Sequence, residues 1–267
     1  MSEKVQVHHL IILDKSSSMH EVRSETIDGC NKQFDIIRKM SEENQEQEHF
    51  VSMVIFSYSH KIDMETIWMK KSDEIENINN ETYVPDGYTA LFDAIGRGVT
   101  KLQKEIQEQL NNRGARVVVT ILTDGHENNS QEFTGKNIKS LIDEHQKGGL
   151  WTITMAGCTD DVFDVADNLN ISRGNVLKYD MGALGTTQAF SQMAKSRSVY
   201  CSSIGTDDEL KASSNYYSGE KKEEEEKKGF FANIKESMTK TGGCCGNGES
   251  CGGTSDENNK KTNKKKK

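Results

Sequence analysis

The stretch LIILDKSSSMH, residues 10–20, decides how the rest of the chain is read. Four aliphatic residues, Leu10 to Leu13, end abruptly in Asp14, and Ser16, Ser17 and Ser18 follow almost at once. With VQVHH before it, the run is rich in β-branched residues and reads as a strand. Such a strand delivers one carboxylate and several hydroxyls to a single point at its carboxyl end. The segment RVVVTILTD, residues 116–124, repeats the arrangement: a continuous apolar run of the kind buried on both faces of a sheet, ending in Asp124.

Working outward, strands and helices alternate. Ile27, Cys30, Phe34 and Ile37 recur at helical spacing, which predicts a helix over 24–40 with Ser24 as its N-cap. FVSMVIFS (50–57) is a second strand, and the alternating KIDMETIWM (61–69) is placed as its antiparallel partner at a sheet edge. Leu91, Ile95, Leu102, Ile106 and Leu110 mark a long helix, and Ile138, Leu141 and Ile142 another. LWTITMAG (150–157) and NVLKYD (175–180) are strands around a short helix at 162–169, and a last helix is expected over 187–203. The implied fold class is α/β: a doubly wound, mostly parallel sheet with one antiparallel edge strand.

The pattern weakens near Gly205, where KKEEEEKKG, GGCCGNGESCGG and NNKKTNKKKK take over. Charge runs and glycine tracts bury too little apolar area to offset chain entropy. The expected organisation is a folded domain over 1–204 and a disordered, dispensable tail over 205–267. One short amphipathic segment stands out at 229–240, with Phe230, Phe231, Ile234 and Met238 on one helical face. That segment, with Cys244, Cys245 and Cys251 and the terminal lysines, leaves three readings open: a docking or membrane-associating element, a metal or redox site at the cysteines, whose spacing matches no standard zinc module, or a solubilising tail.

Composition agrees with one domain plus an appendage. The chain has 267 residues, 33% of them hydrophobic, and a net charge of −8, which argues against nucleic acid as a general partner. No apolar run reaches the roughly 20 residues of a membrane span or the length of a signal h-region, so a cytoplasmic location is expected. The six cysteines show no disulfide framework.

In a doubly wound sheet, sites form outside the carboxyl ends of the strands. Asp14 and Asp124 end two of those strands, and PDGYTALFDAI (85–95) uses Pro85 and Gly87 to present Thr89 just ahead of a helix. Oxygen ligands without His or Cys suit a hard divalent cation: Mg²⁺, with Mn²⁺ or Ca²⁺ as substitutes.

DKSSS, YTALFDA and TDGHENNS together resemble the von Willebrand factor A family and its metal-ion-dependent adhesion site, across residues 5–200. The resemblance assigns metal-ligand roles to Asp14, Ser16, Ser18, Thr89 and Asp124. It implies a protein-binding module whose partner offers an acidic side chain to the ion. The phrases look most like stand-alone intracellular bacterial members, some relatives of which are encoded in stress-response or tellurite-resistance clusters. Ser17 stands where most members carry glycine; a positive φ there would cost a serine about 1 kcal/mol.

Other readings are weaker. Asp14 as a phosphoryl acceptor lacks the second aspartate, since Ser16 holds that position. No nucleophile elbow, zinc spacing or phosphate loop is present. A polar capping loop would explain the serines alone, but not Thr89 and Asp124 in matching places. The expectation is therefore a Mg²⁺-dependent binding module and not an enzyme. The alternative is a metal-assisted hydrolase, for which Glu127 is the one spare carboxylate nearby. Glu127, Asn128 and Asn129 are equally readable as partner contacts or as a polar loop.

Overall fold

The computed structural model describes residues 4–59 and 62–217. The amphipathic segment 229–240 and Cys244, Cys245 and Cys251 lie outside the described residues. Six strands form one sheet: β1 (Val5–Asp14), β2 (Gln47–Tyr58), β3 (Ile62–Lys71), β4 (Ala115–Thr123), β5 (Trp151–Gly157) and β6 (Val176–Lys178). Their order is β3-β2-β1-β4-β5-β6. All neighbours run parallel except β2 and β3, which pair antiparallel at the edge.

The helices are α1 (Arg23–Glu43), α2 (Leu91–Glu105), α3 (Gln107–Asn111), α4 (Gly135–Lys147), α5 (Val162–Asn168), α6 (Ala183–Ser203) and α7 (Glu209–Ser214). Strand alternation explains the two layers. Val7, Ile11 and Leu13 of β1 face α1 and α6, packing with Phe34, Ile37, Phe190 and Met193. Leu10 and Ile12 face the other way, onto Leu91, Ile95, Val99, Ile138 and Ile142 of α2 and α4. Both faces of β1 and β4 are thus covered, which is why their sequences read as unbroken apolar runs.

Two local expectations are corrected. Ser24 does not cap α1; a 3₁₀ turn over Ser17–Val22 runs straight into the helix, so the cap position falls at Val22 with no side-chain cap bond. Packing also continues past 204. Helix α7 and the buried pair Tyr216 and Tyr217 close over the α1/α6 layer. Tyr217 N–H donates to Gly174 O (2.8 Å), Tyr216 N–H to Asn175 Oδ1 (3.0 Å), and Arg116 pairs with Glu209. The expected division at 204/205 therefore cuts through packed structure.

A polar chain crosses the same layer. The buried Arg197 of α6 donates to His9 Nδ1 (2.8 Å), Thr120 Oγ1 (3.0 Å) and Gln33 Oε1 (3.2 Å). His9 Nε2 lies 3.0 Å from His49 Nδ1. A guanidinium only donates, so His9 accepts at Nδ1, carries its proton on Nε2 and donates that N–H to His49 Nδ1. Cys201 joins these histidines within 4.8 Å, a spacing a metal could bridge. The tautomer that Arg197 imposes leaves His9 no free lone pair, and the adjacent guanidinium repels a cation, so the group reads as a hydrogen-bonded tie between α6 and the sheet.

Burial keeps these rings neutral. It pulls His49 and His8 down to about 4, and His9 well below the ordinary imidazole value with help from Arg197. Below pH 6.5 the unfolded chain takes up protons at the three rings while the native state does not, so stability is full above pH 6.5 and falls as pH drops toward 4. The expected loss is about 1 kcal/mol per ring at pH 5.5. Urea midpoints measured between pH 7.5 and 4.5 check this, and His49→Phe should flatten the curve.

Candidate functional site

Strand order reverses direction between β1 and β4, so their carboxyl ends flank the switch point of the sheet, the place where sites form in such folds. Asp14 ends β1 and Asp124 directly follows β4. Asp14 is fully buried and held on both oxygens: Ser16 N–H donates to Oδ1 (2.7 Å) and Thr123 Oγ1 to Oδ2 (2.6 Å). Its main-chain carbonyl accepts from the buried Tyr83 hydroxyl (2.7 Å). Ser18 Oγ donates to Asp124 Oδ1 (2.8 Å) and lies 3.2 Å from Ser16 Oγ. Asp124 Oδ2 is buried and has no hydrogen-bond partner among the described residues.

Thr89 reaches this group through the turn before α2. Asp86 N–H donates to Lys15 O (2.8 Å), Ser17 N–H to Gly87 O (3.0 Å), and Tyr58 and Tyr88 exchange both main-chain bonds at 2.7 and 2.8 Å. The turn depends on Gly87: its φ is +78°, and a Cβ there would sit 2.5 Å from Tyr58 O. On the far side, a Cβ built on Gly125 would lie 3.3 Å from Thr89 Oγ1 and 4.0 Å from Ser18 Oγ, with no other atom that close. The structure thus places Asp14, Ser16, Ser18, Thr89 and Asp124 at one edge of the sheet. Ser16, Ser18 and the two aspartates are joined by hydrogen bonds, and the Thr89 hydroxyl faces the gap beside Gly125. Ser18 is exposed while the other four are buried, so the group opens to solvent on the serine side.

Electrostatically the site is strained. Burial, then Asp124, pushes the Asp14 carboxyl up to about 6 against the hydrogen bonds from Thr123 and Ser16. Burial likewise raises Asp124, opposed by Ser18. Ser17 carries no strain, because it is not among the residues with positive φ.

Sequence reading missed Thr123 and Tyr83, whose hydroxyls fix the side chain and the backbone of Asp14. The only available signal for Thr123 was a hydroxyl residue next to the strand-end aspartate. Glu127 proves to be fully engaged: its oxygens accept from Phe92 N–H (2.9 Å), Asn129 N–H (2.8 Å), Ser130 N–H (2.7 Å) and Ser130 Oγ (2.7 Å). His126 sits on the rim, 2.8 Å from Asp161. Cys158 Sγ contacts Asp124 O at 3.5 Å and Met181 Sδ at 3.6 Å.

Among solved structures the chain is similar to the pilus adhesin SpaC from Lactobacillus rhamnosus GG in its open conformation (12% identity, TM-score 0.51, covering 73% of this chain and 30% of the adhesin). It is also similar to proximal thread matrix protein 1 from the mussel byssus, solved with a zinc-occupied MIDAS motif (14% identity, TM-score 0.46, covering 75% of this chain and 48% of that one). The chain therefore spans less than half the length of either. No curated protein registers as a sequence match. The family model for the von Willebrand factor type A domain matches residues 10–170, a span that contains every residue of the site, and the chain belongs to that family.

Proposed function

We propose that the protein is a divalent-cation-dependent binding module that captures a partner through an acidic side chain. The observation that carries this reading is the group of oxygens at the switch point: Asp124 Oδ2 is buried without a hydrogen-bond partner among the described residues, Oδ1 is met by Ser18, and the Thr89 hydroxyl lies close to the neighbouring Gly125. An orphaned buried carboxylate oxygen costs of order 1–3 kcal/mol, and a cation would remove that cost. Two carboxylates and three hydroxyls fit a hard ion such as Mg²⁺ or Mn²⁺. Asp14, Ser16, Ser18, Thr89 and Asp124 would hold it, directly or through water. The ion would supply positive charge facing solvent, which an external carboxylate can neutralise. Rim residues suit protein contact: Tyr88 next to Thr89 and Met181 beside Cys158 are both exposed apolar side chains.

Two of the carboxylates that a hydrolase could use as a base are engaged. Glu127 spends its oxygens on four donors, and Asp14 accepts on both of its own, so neither is free to take a proton from water.

Two measurements test the proposal. Titrating the full chain with Mn²⁺ should show one site, lost in Asp14→Ala. Affinity capture from cell extract should recover a partner in Mg²⁺ that is released by EDTA. Absence of Mn²⁺ binding by the wild-type chain, or capture indifferent to EDTA, would refute it.

A further inference from the structure

Helix α2 begins without a cap from the adjacent residue: Ala90 occupies the cap position and makes no side-chain cap bond. The free N–H groups of its first turn are instead met by the loop that follows β4. Phe92 N–H goes to Glu127 Oε2 (2.9 Å) and Asp93 N–H to Ser130 Oγ (3.1 Å). In return, the fully buried Asp93 carboxylate accepts from the backbone of Gln131 (2.7 Å), Glu132 (2.9 Å) and Phe133 (2.7 Å). The Ser130 hydroxyl links the two carboxylates' networks, donating to Glu127 and accepting from Asp93 N–H.

The same loop grips Thr89. Asn128 Oδ1 accepts from Thr89 N–H (3.0 Å), and Thr89 O accepts from the N–H groups of Asn128 (3.1 Å) and Asn129 (3.2 Å). Both main-chain polar groups of Thr89 are thus fixed by residues four and five places after Asp124. Fixing that backbone fixes the direction of Cβ and so limits Oγ1 to the few staggered positions around it.

We infer that Asn128 and Glu127 are positioning residues that lock Thr89 to the Asp124 loop, so that ligands from two distant chain segments meet an ion with their spacing already set. This rests on the cation site proposed above. Mg²⁺ and Mn²⁺ tolerate little departure from octahedral geometry, and ligands drifting by roughly half an ångström lose much of their affinity. Asn128 fits this role because its Oδ1, on an otherwise exposed residue, is spent inward on Thr89 N–H. Glu127 belongs to it because all four of its bonds stay within the loop and α2.

The test is Mn²⁺ titration of the full chain, by calorimetry or by electron paramagnetic resonance of free Mn²⁺, with melting in EDTA measured alongside. Asn128→Ala removes the acceptor for Thr89 N–H and should weaken Mn²⁺ binding about 10- to 100-fold, the range for residues that orient metal ligands, while the melting temperature in EDTA stays near wild type. Asn128→Asp keeps the acceptor oxygen and should bind at least as well as wild type. Glu127→Gln replaces one acceptor oxygen with a donor and should weaken binding in the same direction, an independent readout if Asn128→Ala folds poorly. Wild-type binding with unchanged affinity in Asn128→Ala and Glu127→Gln would overturn the inference, as would a loss of EDTA-state stability that accounts for the whole effect. A wild-type chain that binds no Mn²⁺ would instead overturn the cation site itself.

Discussion

A chain ended at Ile204 will melt far below the full-length protein or fail to fold. Residues 205–217 look expendable by composition, yet they carry Tyr216 and Tyr217, 5% and 4% exposed, into the layer between the sheet and α6. Losing one large buried aromatic side chain costs about 3–5 kcal/mol, and two approach the whole stability of an ordinary domain, about 5–15 kcal/mol. The loss does not stop at packing. Arg116, whose side chain is 11% exposed, would lose its partner Glu209, and Asn175 Nδ2 would lose Ser213 O. Half-stripped buried polar pairs cost more than pairs never made. Thermal melts of chains ended at Ile204 and at Ser218 isolate this segment; equal melting temperatures would show that the tyrosines contribute nothing.

Gly125→Ala should weaken Mn²⁺ binding sharply while leaving the melt in EDTA nearly unchanged. The glycine is not at positive φ, and the two nearest atoms to an added methyl are the hydroxyl oxygens of Thr89, at 3.3 Å, and Ser18, at 4.0 Å. The methyl makes one tight contact, which the Thr89 hydroxyl must yield to by a few tenths of an ångström, and it takes space beside two of the oxygens proposed to hold the ion. A cation that gives up its waters reluctantly has no compensating gain from an apolar neighbour. The expected affinity loss is at least about 100-fold, given that one misplaced ligand in a small octahedral site forfeits several kcal/mol. Retained affinity in Gly125→Ala would place the ion away from Thr89 and Ser18. A smaller companion effect is expected for Gly87→Ala, where both the φ of +78° and the 2.5 Å approach to Tyr58 O resist a side chain. That variant should lower the melting temperature and weaken Mn²⁺ binding together, because it moves the turn that carries Thr89.

The fold was readable because β1 and β4 are covered on both faces, and uninterrupted aliphatic runs leave no other assignment. The antiparallel edge strand was readable from the alternation of KIDMETIWM and its closeness to β2, with which it pairs antiparallel. What escaped reading depends on contacts between distant segments. His9 and His49 meet across adjacent parallel strands, 40 residues apart, through a register that no periodicity reveals. Tyr216 and Tyr217 follow a polar, serine-rich stretch, so only their rings carry a signal of burial. Ser24 was misread because a 3₁₀ turn supplied the helix start that a cap would otherwise supply. At the site, the strand-end aspartates and the threonine before α2 could be picked out by their place in the topology. Thr123, Tyr83 and the inward turn of Glu127 could not, because a hydroxyl or a carboxylate on a loop reads the same whether it faces solvent or a neighbour.

The residues that line the gap come from three stretches of chain, 14–18, 89 and 124–125, brought together only when β4 has paired with β1. In the unfolded polymer they are too far apart to act as one chelator. Any ion they hold therefore binds the native state alone, and by mass action it adds about 2.7 kcal/mol of stability at a free concentration 100 times its dissociation constant. The cation then serves as a thermometer for the site: the rise in melting temperature with Mg²⁺ or Mn²⁺ reads ion affinity with no partner in hand. A partner that completes the coordination shell should register as a further rise that vanishes in EDTA, which turns a simple melting screen into a search for the natural ligand.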